Sequence, residues 1–99
     1  MKYMLNLYDN VHDLQNGISN FLDEYSDSTY YNNQNIVVIG DLVFLFHIYN
    51  QRNISKYYGY RFDRIWLHAH VFLLPEDRWF LMTRFTEVGM VIEGNIICI

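Results

Sequence analysis

Residues 61–74 read RFDRIWLHAHVFLL. Ile65, Leu67, Ala69, Val71 and Leu73 occupy alternate positions, and Arg64, Trp66, His68, His70 and Phe72 fill the positions between them. Side chains of an extended chain point alternately to opposite faces, so this period of two predicts a strand. Its apolar side faces a core; its other side carries arginine, tryptophan and two imidazoles. The turns around it predict antiparallel neighbours. On the C-terminal side, Leu74-Pro75-Glu76-Asp77-Arg78 separates it from the apolar run 79–85, and Pro at the second position of a tight turn suits a hairpin. A helix that begins at Pro75 and is capped by Gly89 is the alternative. Further on, 90–92 and 96–99 flank Glu93-Gly94-Asn95, a three-residue hairpin loop. On the N-terminal side, 36–39 and 42–49 flank Gly40-Asp41, a hairpin signal of the II′ kind. The alternative there is a helix over 41–58 closed by Gly59, which would give a β-α-β element within residues 35–74.

Before this region, Met4, Leu7, Val11, Leu14, Ile18, Phe21, Leu22 and Tyr25 recur three and four apart and predict an amphipathic helix. Asn10, Asp13, Asn16, Asn20, Asp23 and Glu24 form its polar side. Residues before Asp9 also alternate as a strand would, and Asp9 suits a helix N-cap. Residues 26–35 (SDSTYYNNQN) are turn formers without periodicity and predict a loop. The expected fold is α+β: a single domain over 1–99, with one N-terminal amphipathic helix packed on an antiparallel sheet of about four to six strands.

Of the 99 residues, 52% are hydrophobic and 18% aromatic, and only 18% are charged against roughly 25% in an average globular protein. That composition excludes a disordered chain. A domain of this size leaves much of its surface exposed and is not expected to bury so many rings alone, so a homodimer or a protein partner is expected. A net charge of −4 argues against a surface that coats nucleic acid throughout. Cys98 has no second cysteine to pair with, and the N-terminus lacks the apolar run of a signal peptide, which points to an intracellular, cytoplasmic protein. The longest apolar stretch, 36–49, is shorter than the roughly 20 residues needed to span a bilayer.

Two features carry possible chemistry. His68 and His70 lie two apart on the expected strand and would project together, with His47 as a third metal ligand if residues 42–49 pair alongside. The cupin pattern is excluded, because Gly59 and Glu76 lie too far from the pair. The same imidazoles would serve a nuclease-like acid and base, with Arg61 or Arg64 holding phosphate and Asp63 orienting a ring. Ordinary surface histidines are the competing reading, and no cofactor is expected. The second feature is the segment 52–64, where Arg52, Lys56, Arg61 and Arg64 interleave with Tyr57, Tyr58, Tyr60 and Phe62. With Trp66 it has the composition of a single-strand-binding patch, and equally that of a protein interface. Charge is polarised accordingly: residues 1–41 hold six acids and one base, residues 52–84 six bases and three acids. P-loop, zinc-finger and nucleophile-elbow patterns are absent.

Heavy use of Asn, Tyr, Ile and Phe, at this length and without a catalytic motif, resembles the small proteins of filamentous archaeal viruses, the lipothrixviruses and rudiviruses. The resemblance covers the whole chain through composition. It implies an unusual fold, a place in the host cytoplasm and a role such as inhibition of a host factor. With only Lys2 and Lys56 as lysines, the chain departs from the Lys-rich habit of proteins from hot environments. The expected function is that of a non-enzymatic viral interaction protein, a homodimer or a binder of a host protein. The alternatives are a nucleic-acid-binding module at 52–64 and a small His-dependent nuclease or metal enzyme.

Overall fold

A computed structural model describes residues 2–50, 57, 61–84, 88–92 and 95–98, with side chains through Leu81. Nine elements follow one another among these residues: β1 (Lys2–Tyr8), α1 (Val11–Glu24), β2 (Thr29–Tyr31), β3 (Ile36–Ile39), β4 (Leu42–Ile48), β5 (Arg64–Leu67), α2 (Pro75–Arg84), β6 (Val88–Ile92) and β7 (Asn95–Cys98). The strands form one sheet in the order β2-β3-β4-β1-β5-β6-β7.

An N-terminal helix and a sheet are present as expected, but a second helix, α2, is added, and the sheet has seven strands among the described residues rather than four to six and is mixed rather than antiparallel. β1 runs parallel to both β4 and β5, and β5 runs parallel to β6, so the four central strands share one direction. Only the margins are antiparallel, through β2-β3-β4 and β6-β7. Burial explains the parallel centre. Every residue from Met4 to Tyr8 is buried, so β1 is covered on both faces and reads as a continuous apolar run interrupted by Asn6. The strand-like alternation at 3–7 therefore reports a central strand.

The chain steps from β1 to β4 in one direction across the sheet and from β5 to β6 in the other. Right-handed crossovers then place the two intervening helices on opposite faces. Leu14 and Ile18 of α1 pack with Met4, Tyr8, Val37, Phe44 and Phe46. Phe80 and Leu81 of α2 pack on the other face with Leu5, Leu7, Val43, Leu45, Ile65 and Leu67.

The N-cap of α1 is Asn10 rather than Asp9. Its Oδ1 accepts from the Asp13 amide at 2.8 Å, while its Nδ2 donates to Asp13 Oδ2 at 3.0 Å. Met4 and Leu7 leave the expected helical stripe for β1, and Val11 and Tyr25 at the ends of α1 are exposed. The second helix begins at Pro75, which lacks the amide that a first-turn residue cannot use, with Glu76 and Asp77 favoured beside the positive end of the helix. The hairpin expected at Pro75 is thus replaced by a helix that takes residues 79–84 of the strand expected over 79–85, while residue 85 lies outside the described residues. Gly89 does not cap it, because it pairs within β6.

The expected strand over 61–74 is regular only at Arg64–Leu67. After the His68 amide donates to the Leu7 carbonyl at 3.0 Å, the chain turns, with Val71 N bonded to His68 O and His70 in the left-handed region at φ 72. β5 ends there because its partner β1 ends there: Leu7 faces Leu67 and the next residue of β1 is its last. Val71 still reaches the α2-side core, and Leu73 packs against it, but by way of this turn.

The hairpin at Gly40-Asp41 is present, with Ile39 paired to Leu42 and Gly40 at φ +59. Residues 42–48 of the alternative helix over 41–58 form β4 instead, while 51–56 and 58 lie outside the described residues, and the β-α-β units are β1-α1-β4 and β5-α2-β6. A Cβ at Gly40 would meet nothing within 4 Å, so its cost is purely one of backbone conformation. Gly40→Ala should lower unfolding free energy by about 1–2 kcal/mol; an unchanged urea midpoint would refute this turn. The hairpin β6-β7 also forms, with Ile92 paired to Asn95 rather than across a three-residue loop. β2 falls inside the segment 26–35 expected as loop, and all three of its residues are exposed. Among the described residues no helix is long and apolar enough to cross a membrane.

Candidate functional site

From the end of β1 the chain departs to α1 on one face, and from the end of β5 it departs to α2 on the other. In open sheets with a parallel centre, such a divergence leaves a crevice beyond the carboxyl ends of the strands, where ligands bind. Here the adjoining strands bring together Asn6, Tyr8 and His68. His68 Nε2 lies 2.9 Å from Asn6 Oδ1, and the Asn6 amide nitrogen donates to the Leu45 carbonyl at 3.4 Å. That second bond orients the amide so that its oxygen accepts from Nε2–H. The lone pair of the neutral ring therefore sits on Nδ1. Burial pushes the His68 pKa down to about 4, so the ring is neutral at physiological pH.

The Tyr8 ring stacks on His68, with centroids 3.9 Å apart and planes within 11°. Tyr8 is only 4% exposed, and burial pushes its hydroxyl pKa well above the usual range. Its other neighbour is Gly17 of α1, where a Cβ would stand 2.5 Å from Tyr8 Cζ and closer still to the hydroxyl oxygen. Glycine at mid-helix is what lets the tyrosine lie beneath α1.

From this point an open cleft of about 360 Å³ runs along α1. The helix contributes Gly17, Asn20, Phe21 and Glu24, and the sheet side contributes Asn6, Tyr8, Phe46 and His68. The Tyr8 hydroxyl makes no hydrogen bond among the described residues, yet no polar side-chain atom among them is both sealed from solvent and unpartnered. The hydroxyl therefore opens to the cleft. A larger groove of about 650 Å³ follows the opposite flank of α1, where the only fully buried lining residues are Leu14 and Ile18. It offers no buried polar group to orient a ligand.

The three histidines do not converge. Leu7 of β1 pairs with His47 on one side and with Leu67 on the other, so His47 shares the face of Leu67, and His68 lies on the opposite face. His70 is exposed in the turn, and no group of three potential metal ligands exists among the described residues. Asp63 orients no imidazole: its carboxylate accepts from the Tyr3 amide at 3.0 Å, and its own amide donates to the Tyr3 carbonyl, which ties the start of β5 to β1.

Of the basic and aromatic segment, Arg52, Lys56, Tyr58 and Tyr60 lie outside the described residues. Tyr57 is 3% exposed, stacked on His47 with its hydroxyl 2.7 Å from Nδ1, so it is a core residue rather than a platform for bases. Phe62 is buried beside it. Arg61 and Arg64 are exposed, and the Arg64 guanidinium sits 5.9 Å from the ring centre of the half-buried Trp66. Asn6, Tyr8 and Gly17 are not among the residues that the sequence marks for chemistry. Their signals are a lone amide inside an apolar strand and a glycine inside a helical stripe.

The aromatic surface lies elsewhere. Phe72 is 80% exposed and Trp79 is 69% exposed. Val71 and Leu73 turn inward on either side of Phe72, and Phe80 and Leu81 fill the core beside Trp79. The start of α2 between them is fixed by Tyr49, whose hydroxyl donates to the buried Asp77 carboxylate and accepts from the Leu74 amide at 3.2 Å. No protein-family model, curated protein or solved structure matches the chain significantly.

Proposed function

We propose that this chain is a non-enzymatic interaction protein, working as a homodimer or by binding a host protein, with Phe72 and Trp79 as its anchors. The exposure of these two rings carries the reading. Covering an aromatic side chain contributes about 1.5–3 kcal/mol, and tryptophan is enriched among the residues that dominate interfaces. Neither ring is needed to fill the core, since their sequence neighbours do that. The viral origin implied by composition belongs to the same proposal, as does a role in inhibiting a host factor.

Sedimentation across a concentration series, paired with capture from host lysate, tests it. The wild-type chain should self-associate or retain a partner, and Phe72→Ser with Trp79→Ser should abolish this while leaving the circular dichroism spectrum unchanged. A strict monomer whose captured proteins are unaffected by the double substitution rules the proposal out. Salt-sensitive oligonucleotide binding that depends on Arg61 and Arg64 would instead favour a nucleic-acid module.

A further inference from the structure

We infer that the cleft beside α1 is a binding site for a small heteroaromatic amine. This goes beyond the docking surface, which lies on the α2 side, and rests on separate residues. Three observations define the ligand. First, Tyr8 is more than nine-tenths buried, and its hydroxyl, which lines the cleft, has no hydrogen-bond partner among the described residues. That hydroxyl opens to the cleft, so a ligand acceptor can take the place of solvent against it while the ring beneath stays fixed. Second, His68 commits Nε2–H to Asn6 and so has an acceptor at Nδ1, with Asn6 held in turn by the Leu45 carbonyl. The rings that carry this donor and this acceptor are stacked on each other.

Third, charge and shape select among ligands. Phe21 and Phe46 supply apolar walls, Glu24 is the one ionisable side chain of α1 that lines the cleft, and among the described residues no lysine or arginine lines it. A neutral imidazole gives an anion no charge to bind. Phosphates and carboxylates are therefore disfavoured, and a flat ring bearing an amine is favoured. Gly17 and Glu24 are seven residues apart, about 10 Å along a helix, which matches a bicyclic ring with a short aminoalkyl arm. The volume of about 360 Å³ is at the small end of ligand sites, which span roughly 300–1,000 Å³, and suits one such molecule.

The probe is 2-(2-aminoethyl)benzimidazole, whose ring carries an N–H for His68 Nδ1 and an acceptor nitrogen for the Tyr8 hydroxyl, with benzimidazole-2-acetate as its charge-reversed counterpart, titrated into the ¹⁵N-labelled full chain and followed by amide chemical shifts. The amine should produce saturable shifts at Gly17, Asn20 and Glu24, and the acid should not. Glu24→Gln, at an exposed position, should weaken binding of the amine about threefold. Tyr8→Phe keeps the ring and should weaken it by roughly fivefold. Absence of saturable shifts in the cleft, equal binding of the acid, or affinity unmoved by both substitutions would each overturn the inference. Loss of self-association in the Phe72 and Trp79 variant leaves this titration unaffected, so the two proposals fail independently.

Discussion

Gly17→Ala should destabilise this protein by about 2–3 kcal/mol, although the same exchange at an open mid-helix position stabilises by roughly 0.5–1 kcal/mol. The sign reverses because the new methyl would stand 2.5 Å from Tyr8 Cζ, 2.7 Å from Cε1 and nearer still to the hydroxyl oxygen. A tyrosine ring cannot bend out of the way. It must rotate as a whole, and doing so breaks the stack on His68 and disturbs the Asn6 contact behind it. A double-mutant cycle isolates the cause. In a Tyr8→Ala background, Gly17→Ala should become neutral or stabilising, because only the helix-propensity gain remains. Additive losses in urea denaturation would mean that Tyr8 does not lie under Gly17.

Acidification should remove up to about 3 kcal/mol of stability between pH 6.5 and pH 4 through His68 alone. Burial lowers its pKa from 6.5 to about 4 in the folded protein. Within that window the unfolded chain binds a proton at this ring and the folded chain does not, so falling pH favours unfolding. The contribution is fully present above pH 6.5 and is lost as pH drops toward 4. A tenfold difference in proton affinity between the folded and unfolded chains corresponds to about 1.4 kcal/mol, and residual contact of the ring with solvent makes the total a ceiling. His68→Gln should flatten the stability profile across this window relative to wild type. Parallel profiles for the two proteins would show that His68 titrates normally. The same window bears on the proposed amine site, because a protonated His68 no longer offers Nδ1 as an acceptor.

Local features were legible in the residues. The helical stripe through Leu14, Ile18 and Phe21 folds as expected, and Gly40-Asp41 turns the chain between β3 and β4, since both depend on residues only a few positions apart. The region 61–74 misled for an equally physical reason. Its alternation is real at Ile65 and Leu67, but a turn with His70 in the left-handed region carries the remaining apolar residues into the same core. Pro75 fits the second position of a turn and the first turn of a helix equally well, and the packing of Phe80 and Leu81 selects the helix. The candidate site was legible only as anomalies, Asn6 within MLNLY and Gly17 within α1.

By itself, the sequence determined the helical stripe of α1, the tight turn at Gly40 and the surplus of aromatic rings, because periodicity, turn chemistry and composition act over short range or over none. Only the tertiary structure decided that β1 lies between β4 and β5 with all three parallel. That pairing joins residues some forty to sixty positions apart. It sends His47 and His68 to opposite faces and sets Tyr8, His68 and Asn6 side by side, because a strand's pairing partner is chosen by burial on both of its faces and not by its own residues.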